Sequence, residues 1–201
     1  MAKEAGAGLA KFQLFDAEDD RDKPHYDWVK AHELTFDQAK MLFDFGASIG
    51  MEVFFSVFGV KYVEWCERIG VKRYKIACGV TDDKLLAAVD RTHKPQIRSS
   101  TTLYGWNHNI TRLYCIPEYP CPLNHIRFPE FRANVINRAE GFSDHTIGLD
   151  AARIVLARGA RIVEKHFILD RSIPAPDAPW SMMPDELREL VRFEKICQEV
   201  L

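Results

Sequence analysis

Residues 140–167 read EGFSDHTIGLDAARIVLARGARIVEKHF, and the pattern within them decides the fold class. EGFSD (140–144) and RIVEKHF (161–167) are short runs rich in β-branched or aromatic residues, the signature of strands. Between them, 147–159 carries a helical pattern that ends at Gly159. Strand, helix and strand in so short a length make one parallel β-α-β unit.

The same alternation extends over the rest of the chain. Strand patterns recur at LAKFQLF (9–15), MEVFFSVF (51–58), RYKIAC (73–78), PQIRSS (95–100) and TRLYCI (111–116), seven in all. Helical patterns lie at 35–50, with Thr35 as N-cap and Gly50 as terminator, at 59–70 closing at Gly70, at 82–92, at roughly 125–138, and from Pro184 onward. A doubly wound sheet and a TIM-type (β/α)8 barrel both fit such an order, and the nearly even spacing favours the barrel. The expectation is therefore an α/β chain folded as one domain over 1–201, an incomplete barrel of about seven βα units. MAKEAGAG at the front reads as the tail of a helix leading into the first strand, so one unit is expected to be absent there. The segments 16–34 and 168–183 are expected to be irregular.

Composition narrows the function. Of 201 residues 47% are hydrophobic, enough for a sizeable core, and 27 Lys plus Arg face 29 Asp plus Glu, which leaves no basic excess for a nucleic-acid partner. No apolar run is long enough to cross a membrane, and the five cysteines form no C-x-x-C pair and follow no signal peptide. A cytoplasmic location is the expectation.

In a parallel barrel the chemistry gathers at the C-terminal ends of the strands. Alternation along RIVEKHF turns Ile162, Glu164 and His166 one way and Val163, Lys165 and Phe167 the other. His145 lies just beyond the preceding strand, and neighbouring strands are about 5 Å apart, so the two imidazoles can meet one divalent metal with Asp144 or Glu164 as orienting partner. Ordinary hydrogen-bonded strand-end histidines are the alternative. Lys11 and Lys75 sit inside apolar strands, where an ammonium is costly unless an anion meets it. With Ser99, Ser100 and Ser143 they can line a phosphate or carboxylate site, or else snorkel past a helix to water. Glu118 stands in a loop stiffened by Pro117, Pro120 and Pro122, either as an acceptor for a hydroxylated ligand or in a plain connection.

These blocks resemble the sialic acid (N-acetylneuraminate, nonulosonate) synthase family over nearly the whole chain. AKEAGAGLAKFQLF is similar to A-K-x-A-G-A-D-x-V-K-F-Q-x-F, YKIACG to Y-K-I-[AG]-S-G, KPQIRSS to K-P-V-I-L-S-T, and YCIPEYP to H-C-x-S-x-Y-P. GFSDHTIG and ARIVEKHFILDRSIPAPD match G-Y-S-D-H-T-x-G and A-x-x-[IV]-E-K-H-F-T-L-D-R-x-x-P-G-P-D, the most specific pair. The resemblance implies a metal-assisted condensation of phosphoenolpyruvate with an N-acylated mannosamine-type hexosamine, or its 6-phosphate, giving a nonulosonic acid and phosphate. It implies His145 and His166 as ligands of Mn2+, with Mg2+ or Co2+ as alternatives. It also implies Lys11, Lys75, Ser99 and Ser143 at phosphoenolpyruvate, and Asp177, Glu118 and Glu164 near the sugar. Glu164, Asp144 and Glu118 are the expected catalytic carboxylates.

Departures from the pattern matter as well. The family's first strand and its C-terminal antifreeze-like domain have no counterpart here, so a homo-oligomer or a complementing chain is expected. Cys78 replaces a Ser, Val57 a Thr, Pro117 a Ser and Ala178 a His. Each lost hydroxyl donor to a charged group removes about 1.5–3 kcal/mol. An inactive barrel serving as a binding or assembly protein, and a metal-dependent sugar-acid lyase or aldolase, are the competing expectations.

Overall fold

The computed structural model describes residues 1–102, 109–129, 131 and 139–200. Among them are seven strands: β1 (Leu9–Leu14), β2 (Glu52–Val57), β3 (Tyr74–Ile76), β4 (Gln96–Ser100), β5 (Ile110–Cys115), β6 (Gly141–Asp144) and β7 (Ile162–Lys165). The helices are α1 (Tyr26–His32), α2 (Phe36–Ser48), α3 (Val60–Ile69), α4 (Asp83–Asp90), α5 (Asp150–Ala157) and α6 (Pro184–Val200). Every predicted strand is present, with ends within two residues of expectation. In the sheet the strands follow chain order, β1 to β7. Parallel pairing joins β1 to β2, β2 to β3, β5 to β6 and β6 to β7.

The described residues form two compact units. Within Gly8–Ile97, alternation divides each strand into two faces. Leu14, Val53, Phe55, Val57, Tyr74 and Ile76 pack with Ala39 of α2, Val63 and Cys66 of α3, and Leu85 and Val89 of α4. The other face carries Lys11 opposite Phe54, Gln13 opposite Ser56, and Ser56 opposite Lys75. Polar residues here follow the strand period rather than interrupting it. At the front of α2, Thr35 accepts from the Gln38 N–H while the Gln38 side chain accepts from the Thr35 N–H, a complete capping box. Gly70, at φ 89°, closes α3 in the left-handed region that other residues enter only with strain.

The second unit combines Met1–Ala7 with Arg98–Leu201. Its first residues end as a helix does: the Ala7 N–H donates to the Ala2 carbonyl and the Gly6 N–H to that of Lys3, with Gly6 at φ +100°. Ala5 then packs with Leu149, Ala152 and Leu156 around α5 and with Leu187 and Leu190 of α6. A second cluster joins Tyr114 and Phe142 of the sheet to Ala151 and Val155 of α5. Burying Phe142 or Val155 contributes about 1.5–3 kcal/mol each. The Glu186 carboxylate caps α6 by accepting from the Met183 N–H.

Three expectations change. The segment 16–34 is not wholly irregular, because α1 forms there with Val29 as its one buried residue and with the Trp28 and His32 rings stacked at 4.0 Å. One buried position per two turns leaves no apolar stripe to read. Of the helix expected over roughly 125–138, the described residues 126–129 and 131 are not helical, and His125 only ends a 3-10 turn, Leu123–His125; 130 and 132–138 lie outside the described residues. The last strand stops at Lys165, and the chain beyond it turns to bridge Phe167 to Met182.

Gly141 opens β6 where neighbouring backbones crowd. A Cβ there would overlap the Ile162 carbonyl oxygen and come within 2.8 Å of Leu113 Cδ2. Backbone cannot yield as a flexible side chain does. Gly141→Ala is expected to destabilise the chain by about 3 kcal/mol or more, a loss readable in urea unfolding.

Candidate active site

The register of β6 on β7 sets the site. Ser143 lies opposite Glu164 and Asp144 opposite Lys165. Ser143, His145, Glu164 and His166 therefore share one face, whereas Asp144 and Lys165 turn to the side where Phe142 and Val163 meet α5. On the first face the Ser143 hydroxyl donates to Glu164 Oε2 at 2.8 Å, which fixes that carboxylate.

His145 is 7% exposed. Its Nδ1 lies 3.2 Å from the Ile116 carbonyl, and its own carbonyl accepts from the Cys121 N–H. The donor at Nδ1 leaves Nε2 as the ring's lone pair. Burial, opposed by the Ile116 carbonyl, holds the imidazole pKa down to about 4, so the ring is neutral near pH 7. His166 places Nδ1 3.2 Å from Asp177 Oδ2, and its carbonyl accepts from the Met182 N–H.

The two rings approach with centroids 5.7 Å apart. Tyr119 packs on His145 at 4.2 Å, Trp180 meets His166 edge-on at 6.4 Å, and Tyr119 and Trp180 lie 6.0 Å apart. The four rings make a closed circuit. Trp180 is buried and its indole N–H has no hydrogen-bond partner among the described residues.

This arrangement suits a divalent metal. Both imidazoles have Nδ1 committed to an oxygen acceptor, the outer contact that orients metal-binding histidines, and a ligand histidine must be neutral. Among the described residues no group of three or more His, Cys, Asp and Glu gathers at one point, so the chain offers at most the two imidazoles as ligands here.

The remaining predicted residues separate. Asp144 is not the orienting partner of His145: its Oδ1 accepts from the Thr146 N–H and its Oδ2 is 3.0 Å from Lys165 Nζ. Burial pulls the Lys165 ammonium down while Asp144 opposes that shift. Glu118 is paired with His125 Nδ1 at 2.8 Å, both substantially exposed, and not with His145 or His166. Ser99 is buried near the end of β4, and the Ser100 hydroxyl accepts from the Thr102 N–H. Lys11 and Lys75 belong to the unit Gly8–Ile97, Lys75 at 1% exposure. Beside them on that face stand two residues the sequence reading passed over, Gln13 and Ser56, the latter with a buried hydroxyl that has no hydrogen-bond partner among the described residues. Tyr119, Trp180 and Lys165 were also missed. Lys165 had a signal, since the rule that singles out strand lysines applies to it as fully as to Lys11 and Lys75.

The lowered His145 pKa has a pH consequence. Above about pH 6.5 the ring is neutral folded and unfolded; below that the unfolded chain takes up the proton first, and stability falls until about pH 4. The loss over this window is expected to be about 3 kcal/mol. Urea unfolding across it should show a shallower decline in His145→Gln than in the parent.

Residues 1–201 match the NeuB family. An uncharacterized protein of Methanocaldococcus jannaschii is 31% identical over all of this chain and 65% of its own length. The N,N'-diacetyllegionaminic acid synthase of Legionella pneumophila is 27% identical over all of this chain and 66% of its own. The chain thus spans about two thirds of the length of these relatives. Among solved structures, the N-acetylneuraminic acid synthetase of Leptospira borgpetersenii, in complex with citrate, superposes with TM-score 0.84 at 23% identity, covering 99% of this chain and 76% of that one. The fold is that of these TIM-barrel-like synthases, with seven parallel strands, and the chain belongs to the NeuB family.

Proposed function

We propose that the chain carries the catalytic face of a synthase that condenses phosphoenolpyruvate with an N-acylated mannosamine-type sugar, or its 6-phosphate, to a nonulosonic acid and phosphate. The observation that carries this reading is the His145–His166 pair, two imidazoles on one face at 5.7 Å, beside a Glu164 held by Ser143, in a chain of the NeuB family. His145 and His166 are the residues to hold a divalent metal, Mn2+ first among candidates. Such an ion supplies Lewis acidity toward an aldehyde oxygen.

In the condensation, C3 of phosphoenolpyruvate bonds to the aldehyde carbon, water adds at C2, and the carbon–oxygen bond to phosphate breaks as the C2 oxygen becomes a ketone. Lys11 and Lys75 supply the charge to hold the phosphate and carboxylate, lowering the entropic and electrostatic parts of the barrier. Glu164, oriented by Ser143, is the carboxylate assigned to accept a hydrogen bond from a sugar hydroxyl. Asp177 accepts at His166 Nδ1 and so orients that ring.

The test pairs binding with turnover. Calorimetry with phosphoenolpyruvate and Mn2+, followed by phosphate release in the presence of N-acylated mannosamines, is expected to give saturable binding and release. The double variant His145→Ala, His166→Ala should reduce release to background. Release that is absent in the parent with every sugar and metal tried, while phosphoenolpyruvate still binds, overturns the synthase reading in favour of a binding protein. Turnover of preformed nonulosonic acids without phosphoenolpyruvate overturns it in favour of a lyase.

A further inference from the structure

Lys165 makes contacts that no binding role explains. Its Nζ lies 3.0 Å from Asp144 Oδ2 and 2.6 Å from the Thr146 carbonyl, and Asp144 Oδ1 accepts from the Thr146 N–H at 2.8 Å. The ammonium and carboxylate side chains are 1% and 0% exposed, so solvent neither screens nor competes for them. Asp144 and Thr146 flank His145, and Lys165 precedes His166. One buried ammonium therefore holds both shoulders of one histidine to the strand that presents the other.

The other anchors of the two histidines act on each separately. His145 is held by Ile116 and Cys121, on the segment after β5, and His166 by Asp177 and Met182, on the segment before α6. Beyond the β6–β7 backbone pairing, which ends at Asp144 opposite Lys165, two side-chain contacts described above tie the histidine-bearing segments to each other: the Ser143–Glu164 hydrogen bond on the histidine face, two residues before each ring, and the Lys165 cluster on the helix-facing side, directly beside both rings in sequence. Glu186 and Arg171 also bear on the Lys165 charge, with opposite sign, so neither replaces Asp144 as its contact.

We propose that Lys165 and Asp144 form a positioning clamp that sets the separation and mutual tilt of the His145 and His166 rings. Its consequence for metal affinity rests on the reading of the two histidines as one metal-binding pair; its consequence for ring geometry does not. The clamp acts from the helix-facing side of the sheet, so it touches neither ligand nor metal.

The experiment uses the full chain and three readouts: thermal unfolding, Mn2+ affinity, and the nuclear Overhauser contact between the two imidazoles in metal-free protein. Asp144→Leu, Lys165→Met replaces a buried ion pair by apolar side chains of similar size, a change that is often neutral for stability. The expected result is an unfolding temperature near that of the parent, a lost ring-to-ring contact, and Mn2+ affinity reduced 10- to 100-fold, the range typical of outer contacts to metal ligands. Asp144→Glu keeps the charge but lengthens the arm, and it should weaken Mn2+ binding in the same direction while the chain stays folded. A folded double variant with unchanged ring contact and affinity overturns the clamp. If the double variant does not fold, a folded Asp144→Glu that retains both readouts overturns it equally. A parent chain that binds no Mn2+ overturns the metal reading, and the ring contact alone then decides the clamp.

Discussion

The parallel register that sets Ser143 against Glu164 and Asp144 against Lys165 is the constraint on which the site depends. Strand side chains alternate with period two, so a slip by one residue would carry His145 and Ser143 to the helix side and bring Asp144 to the open face. Two kinds of packing guard against that slip. Phe142 and Val163 are drawn toward α5 by apolar burial, and Gly141 admits the Ile162 carbonyl at a distance that any side chain would prevent. The buried ion pair adds a third condition, since Asp144 and Lys165 lose water together and are stable there only opposite each other.

Burial works against the charged form of both His145 and Lys165, and the partners that oppose it differ. His145 meets a carbonyl, which is too weak an acceptor to keep a proton on the ring against desolvation. Lys165 meets a full carboxylate and one backbone carbonyl, and the carboxylate opposes the same penalty. The sheet thus presents lone pairs on one side and satisfied charge on the other. An α/β scaffold does this readily because helices cover one face of every strand and leave the polar alternates to the other.

Much of this could be read from residue order. The seven strands, the Thr35 cap, the glycine ends of α2, α3 and α5, and the common face of Glu164 and His166 all follow from local periodicity and turn chemistry. The short helix α1 could not be read, because its stability rests on one buried valine and a ring stack rather than on a stripe. Nor could the partner of His145, a backbone carbonyl 29 residues earlier that carries no side-chain signature. Asp144 was misjudged for a related reason: a carboxylate next to a histidine in sequence lies on the opposite face of a strand. Tyr119 and Trp180 reach the histidines from separate proline-containing loops, and no spacing rule joins such loops.

The circuit of four rings also gives the protein an optical property. An indole in van der Waals contact with an imidazole transfers charge from its excited state to that ring most readily when the ring is protonated or carries a bound cation. Trp180, buried and set beside His166 and Tyr119, is thus an intrinsic chromophore placed against the histidine pair. The site carries its own reporter, with no label attached.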